Sequence, residues 1–169
     1  MLQSLVAECA PEIQLRFTAT ESGLRSIEFI RDESDLPSVE DGDPSLGAHA
    51  TQTLNEAVRQ LRAYFAGELR QFTIPLDPRG TDFQLRVWRQ LETIPFGEIR
   101  SYAQIAEAIG APRAVRAVGA ANGANPLPIV IPCHRVIGSG GKLVGYGGGL
   151  ALKKLLLDLE GCSMVLFRT

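Results

Sequence analysis

The sequence predicts two small domains: an α/β unit over residues 1–76 and a mainly helical unit over 81–169, joined by a linker at 77–80. Three observations point that way. Short runs of alternating apolar and polar residues precede one helical run in the first half. Asp77-Pro-Arg-Gly80 then interrupts the chain with turn-forming residues. Beyond it, helix starts and stops follow in close order.

The elements follow from residue spacing. Ile13-Gln-Leu-Arg-Phe-Thr-Ala19 alternates, as does Ile27-Glu-Phe29, and Glu21-Ser22-Gly23 between them reads as the turn of a hairpin. Residues 32–48 are acidic and rich in Ser, Pro and Gly, which predicts a surface loop. Leu54, Ala57, Val58, Leu61, Tyr64 and Phe65 fall at helical spacing, with Gly67 as the stop. Phe72, Ile74 and Leu76 predict one more short strand.

In the second half, Thr81 with Gln84 forms a capping box before Phe83, Val87, Trp88 and Leu91, which share one helical face. Pro95-Phe96-Gly97 breaks the chain. Ser101 with Gln104 is a second capping box, and Gly110 closes the short helix it opens. Pro112 suits a first helical turn, predicting a helix from Arg113 to about Ala121. Two short helices joined by Gly-Ala-Pro make a helix-turn-helix outline. A last helix runs from about Ala151 to Glu160.

Composition narrows the function. Apolar residues at 45% and charged residues at 21% are ordinary for a globular protein, and no apolar run approaches membrane-spanning length. The Met1-Leu-Gln-Ser-Leu-Val-Ala start has no basic region and Glu8 follows at once, so a cytoplasmic protein without a signal peptide is expected. Cys9, Cys133 and Cys162 are too few and too scattered for a disulfide framework. With only two histidines and no C-x-x-C pair, no metal site and no cofactor is expected, and Cys9 and Cys162 read as small semi-buried side chains.

The charge is uneven. Residues 1–80 carry 7 Lys/Arg against 13 Asp/Glu, whereas residues 81–169 carry 10 against 6. A basic second half suits a phosphate backbone. Ordinary variation among solvated faces is the alternative, and charge alone does not decide between them.

Pro132-Cys133-His134-Arg135-Val136 is the most informative segment. A cysteine beside a histidine and an arginine sits where a thiolate, its nucleophilic form, can be stabilised. Neighbours in an extended segment face opposite sides, so His134 would reach Cys133 only through a bridging water. Gly138-Ser-Gly-Gly-Lys-Leu-Val-Gly-Tyr-Gly-Gly-Gly149 fails as a phosphate loop, because Leu143 follows Lys142 and no glycine sits six residues before that lysine. It reads instead as a pocket wall, where glycines permit positive φ and leave bare N–H groups facing a ligand. The helix Arg113-Ala-Val-Arg-Ala-Val-Gly-Ala-Ala-Asn122 is too poor in long polar side chains to read much base sequence. Its slim profile suits close approach to a backbone or minor groove. Taken alone, it equally fits close helix packing through alanines.

Ser101-Tyr102, Arg113-Ala-Val-Arg-Ala-Val-Gly119, Asn125-Pro126, Pro132-Cys-His-Arg-Val136, Gly145-Tyr146, Gly148-Gly149 and Glu160-Gly161, taken together and in this order, resemble the O6-alkylguanine-DNA alkyltransferases. The likeness covers about residues 78–161, and the first half matches only in outline. It implies a ribonuclease-H-like N-terminal domain and a winged-helix-like C-terminal domain that binds DNA and carries the chemistry. The implied activity is single-turnover DNA repair, in which the alkyl group of a flipped-out O6-alkylguanine passes irreversibly to Cys133; O4-alkylthymine is a further candidate substrate.

The resemblance also implies roles. His134 acts as base through a water, and Glu160 orients and charges it. Asn125 holds the turn that carries Cys133, and Tyr102 rotates the nucleotide and donates a proton toward guanine N3. Arg116 enters the duplex as a finger, and Arg113, Ala117, Ala120, Asn122 and Arg135 join it and Tyr102 at the DNA face. Backbone carbonyls of Cys133 and Val136 and the N–H near Gly147 read the guanine edge. Tyr146, Gly148 and Pro128 complete the pocket, and glycine rather than serine or alanine at 147 implies room for larger alkyl groups. The implied partner is double-stranded DNA bearing O6-alkylguanine, met by a monomer in solution, with clustering along DNA left open.

The physical case stands beside the likeness. A free thiol is only a few per cent thiolate at neutral pH, so even full ionisation gains at most about thirtyfold. Breaking an ether-like bond needs more, from leaving-group protonation and in-line placement. Flipping costs least at a damaged base, which selects lesions without reading sequence. A lesion-binding protein without chemistry is the alternative from another class, and the intact setting of Cys133 argues against it. A cysteine hydrolase would need a separately placed histidine, and His49 in an acidic region is a poor one. A sequence-specific transcription factor is disfavoured by the alanine-rich helix.

Overall fold

The computed structural model of the chain describes residues 2–31 and 48–162. The acidic stretch 32–47 and the tail 163–169 lie outside the described residues. Two compact units divide the chain, Met1–Arg79 and Gly80–Thr169.

The first unit is a three-stranded antiparallel sheet with one helix on it. Strands β1 (Gln3–Ala10), β2 (Ile13–Thr20) and β3 (Gly23–Ile30) lie in chain order, and α1 spans Ala48–Phe65. The predicted hairpin is β2–β3, with Leu15 facing Phe29 and Phe17 facing Ile27. Leu15, Phe17 and Ala19 alternate inward and meet Leu54, Ala57, Leu61 and Tyr64 of α1, all buried.

One strand has no counterpart in the sequence reading, and one reading needs correction. β1 carries no clean alternation; it is a half-buried edge strand held by pairing to β2, with an irregularity between Glu8 and Ala10. Phe72–Leu76 is not a strand. Pro75 has no N–H to give to a ladder, and the segment is fastened piecemeal instead. Leu24 N–H donates to the Pro75 carbonyl at 2.8 Å, and Gln60 bonds Thr73 through both ends of its amide. Asp77, assigned to the linker by sequence, is tied to this unit by Thr20 (2.7 Å) and by an ion pair with Arg25.

The second unit contains α2 (Asp82–Glu92), α3 (Tyr102–Ala108), α4 (Val115–Gly123), α5 (Leu150–Leu159) and a two-stranded parallel sheet of β4 (Arg100–Ser101) and β5 (Val136–Ile137). Both capping boxes form: Thr81 and Gln84 bond each other's backbone N–H groups, as do Ser101 and Gln104. Trp88 packs the helices together by donating its indole N–H to the Ala121 carbonyl at 2.8 Å.

α4 starts later than Pro112 predicts. Its N-cap is Ala114, which has no side-chain oxygen to hold the first turn, and the preceding residues close a tight turn through Ala114 N–H to the Ala111 carbonyl. Arg113 therefore lies before the helix. The β4–β5 pairing sets Arg100 opposite Val136 and Ser101 opposite Ile137. That register brings the start of α3 beside the Cys133 segment. Among the described residues, no helix is long and apolar enough to cross a membrane.

Candidate active site

Cys133, His134 and Arg135 form one turn of 3-10 helix directly before β5, rather than the extended segment assumed from sequence. The chain reaches it through a buried bend, Leu127–Ile131. Asn125 braces that bend from inside, donating its Nδ2 to the Ile131 carbonyl (2.8 Å) and accepting from Leu127 N–H (3.0 Å). Ile129 holds φ at +74°, a left-handed conformation strained for a β-branched side chain. Pro128 is buried in the same bend.

Burial raises the Cys133 thiol above its ordinary value, so the resting side chain is a neutral thiol. The Asn125 amide, the Lys153 charge and the backbone N–H groups of Cys133 and Ile129 all pull the other way without prevailing. The histidine and arginine beside Cys133, read from sequence as able to stabilise its thiolate, are not among the groups that lower its pKa.

His134 is fully buried, and its Nε2 pairs with Glu160 Oε1 at 2.8 Å. Facing a carboxylate, Nε2 carries the proton and Nδ1 is left as the basic nitrogen, with no protein partner. Burial lowers the pKa of His134; Glu160 opposes the change, while Arg135 and Lys153 add to it. The ring is therefore a neutral base.

Arg135, expected at the DNA face, is turned into the protein. It is 6% exposed and spends its guanidinium inside the protein: Nε to Glu160 Oε2 (2.8 Å), one amino group to Glu160 Oε1 (3.0 Å), the other to the Ile94 carbonyl (2.5 Å). An inward arginine neutralises the carboxylate that the histidine leans on. Gly97 also points its N–H at Glu160 Oε2, at 3.4 Å. Its φ of +80° and a space only 3.1 Å from the Glu160 carbonyl suit glycine there.

Asn122, also expected at the DNA face, is turned inward. It lies on the buried side of α4, 3% exposed, with Nδ2 3.4 Å from the Cys133 carbonyl and its amide beside the Tyr102 hydroxyl. Tyr102 is half-buried at the start of α3, and burial, with Cys133 nearby, raises its pKa and keeps it protonated. The opposite side of α4 is open: Arg116, Ala117 and Ala120 are exposed, as is Arg113 just before it.

The glycine-rich loop follows β5. Gly140, Gly141, Gly145 and Gly149 have positive φ, and the Tyr146 ring meets His134 edge-on at 6.5 Å. Gly148 is half-buried and Gly147 exposed, with nothing within 4 Å of where a Cβ would stand at 147. Val136 is buried, and its carbonyl accepts from Lys153 Nζ at 2.6 Å. Sequence reasoning does not single out Lys153. The available signal was its spacing with Leu156, Leu157 and Glu160, which puts a lysine on the inward stripe of α5.

Residues 82–162 match the family described as 6-O-methylguanine DNA methyltransferase, DNA binding domain, and residues 14–78 match its ribonuclease-like domain. A Methanosarcina acetivorans methylated-DNA–protein-cysteine methyltransferase is 48% identical over 83% of this chain and 87% of its own. The chain belongs to the methylated-DNA–protein-cysteine methyltransferase family.

A Mycolicibacterium paratuberculosis member of that family is 69% identical over 62% of this chain, and the match spans 63% of the relative's length. The crystal structure of Mycobacterium tuberculosis O6-methylguanine methyltransferase covers 99% of each chain at 47% identity, with a TM-score of 0.79. The mycobacterial protein in complex with DNA covers 98% of each at 46% identity, with a TM-score of 0.76. The family fold is thus present throughout: a ribonuclease-like N-terminal domain and a C-terminal DNA-binding domain.

Proposed function

We propose that this protein repairs DNA by moving the alkyl group of a flipped-out O6-alkylguanine onto Cys133, once per molecule. The observation that carries the reading is the Cys133–His134–Glu160–Arg135 array beside Tyr102. The Cys133 proton passes through one water to His134 Nδ1, the ring nitrogen without a protein partner. Glu160 accepts from Nε2–H and favours the imidazolium as it forms, while Arg135 bonds the same carboxylate and holds it in place.

The sulfur then attacks the alkyl carbon from the side opposite O6. A carbon–sulfur bond forms, the carbon–O6 bond breaks, and its electron pair returns to the purine. Tyr102, held neutral, donates toward guanine N3, and the proton removed from Cys133 balances the one gained by the base. The products are unmodified guanine and a thioether with no easy route back.

Delivery of the base falls to the exposed face of α4 and the turn before it. Arg116 enters the duplex, and Arg113, Ala117 and Ala120 let the helix approach closely. Tyr146, Gly147, Gly148, Val136 and Pro128 form the pocket. The name shared by the relatives and the DNA-bound mycobacterial protein support DNA as the partner and cysteine as the acceptor.

The test is intact-protein mass after incubation with duplex DNA carrying one O6-methylguanine. The expected result is a stoichiometric gain of one methyl group, mapped to Cys133 and absent in Cys133→Ala. Tight binding with no mass gain would move the protein to the lesion-binding class.

A further inference from the structure

Asn122 holds a buried acceptor that the chemistry above does not use. It sits on the inward side of α4 with Val118 and Ala121 and is 3% exposed. Its Nδ2 lies 3.4 Å from the Cys133 carbonyl. That fixes the sense of the amide, because an amide oxygen turned the same way would repel the carbonyl. Oδ1 therefore points elsewhere, and it is buried without a protein partner. Leaving such an oxygen unpaired costs stability, and leucine would fill a like volume and suit the helix better. Among the described residues, His134 Nδ1 is in the same state, and there the proposed proton transfer supplies the reason.

The surroundings show what the oxygen can meet. Tyr102 flanks the same face of α4: a Cβ at Gly119, three residues before Asn122, would stand 3.9 Å from its ring. The two backbone carbonyls expected to read the base edge already face protein donors. That of Val136 accepts from Lys153 Nζ at 2.6 Å, and that of Cys133 faces Asn122 Nδ2. Asn122 Oδ1 stands beside them with no protein donor of its own.

That oxygen needs an N–H group, and an alkylated guanine has one to offer. Alkylation at O6 removes the N1 proton, so the donor left on the base edge is the 2-amino group. O4-alkylthymine has lost its N3 proton and offers none. We propose that Asn122 is a specificity-determining residue: its Oδ1 accepts from the 2-amino group of the flipped-out base and favours alkylated guanine over bases without that group. This rests on the function proposed above, because a base must enter beside Cys133. It also ranks the candidate substrates, with O4-alkylthymine behind O6-alkylguanine.

The test compares two duplexes that differ by one amino group, carrying O6-methylguanine or O6-methylhypoxanthine at the same position. Second-order rate constants for methyl transfer are read by intact-protein mass, in wild type and in Asn122→Leu. One hydrogen bond of this kind is worth about tenfold, so wild type should prefer O6-methylguanine by about that factor or more. Asn122→Leu should lose about tenfold on O6-methylguanine, keep its rate on O6-methylhypoxanthine, and so shrink the preference by the same factor. A merely structural asparagine would slow both substrates alike.

Equal wild-type rates on the two duplexes would overturn the proposal, whether or not Asn122→Leu folds. An unchanged preference in Asn122→Leu would overturn it as well, and either result leaves methyl transfer standing. A wild-type protein that takes no methyl group from either duplex would instead sink the proposed function, and this reading with it.

Discussion

Replacing Arg135 with methionine separates two accounts of that side chain. As a DNA contact, it would leave the fold alone and weaken binding. As the internal partner of Glu160, it is a structural charge. Arg135 makes two bonds to a buried carboxylate and a third to the Ile94 carbonyl. Removing one member of a buried ion pair costs about 3–5 kcal/mol, and an orphaned buried carbonyl adds about 1 kcal/mol or more. Methionine keeps much of the apolar stem, so the loss should be about 4–6 kcal/mol, chiefly electrostatic. A unit of this size has roughly 5–13 kcal/mol in all. Trp88 is the only tryptophan of the chain and is buried in this unit, so its fluorescence reports this unit alone. In a urea titration the midpoint should fall by about 2 M or more. A midpoint unchanged to within about 0.3 M, with weaker duplex binding and a salt slope shallower by about one, would refute the structural account and restore Arg135 to the DNA face.

Two further outcomes follow from the same site. Asn125→Ala removes the amide that bonds Ile131 and Leu127, and should cost about 2–3 kcal/mol in the Trp88-monitored titration while slowing alkyl transfer to Cys133; full activity with an unchanged midpoint would mean that the bend holds itself. His134 is held neutral by burial, with its pKa below the ordinary value near 6.5. Its contribution is full above that value. As pH falls, the unfolded chain takes up a proton that the folded one refuses, so stability is lost toward the folded pKa. The urea midpoint should fall on acidification through about 6.5, and His134→Gln should flatten that part of the slope; equal slopes in the two proteins would contradict it.

What could be read from sequence divides by the range of the interaction. The two capping boxes were legible because each is closed by residues three apart, Thr81 with Gln84 and Ser101 with Gln104. The β2–β3 hairpin was legible because its turn and its alternation are local. β1 was not, since an edge strand with one buried residue shows no period, and Leu24 is what holds the Pro75 segment that resembled a strand. The site follows the same rule. Arg135 stands next to His134 in a motif whose likeness implied DNA contact, yet its partner, Glu160, lies 25 residues further on. Asn122 reads as the end of an exposed helix until the helix phase puts it on the side of Val118 and Ala121.

The thiol is the sharpest case. Sequence adjacency of Cys133 to a histidine and an arginine suggests a thiolate, but adjacency is not solvation. The arginine's charge is taken by Glu160, the histidine is neutral, and burial prevails over the amide, the lysine and the backbone N–H groups. A cysteine kept as a thiol until a substrate arrives is protected from stray electrophiles, which suits the single transfer proposed above. The amide, the N–H groups and the lysine charge that favour the Cys133 thiolate come from the Asn125 bend, the 3-10 turn and α5, three separate stretches of chain. Only folding brings them to one sulfur, and for that reason no motif could display them.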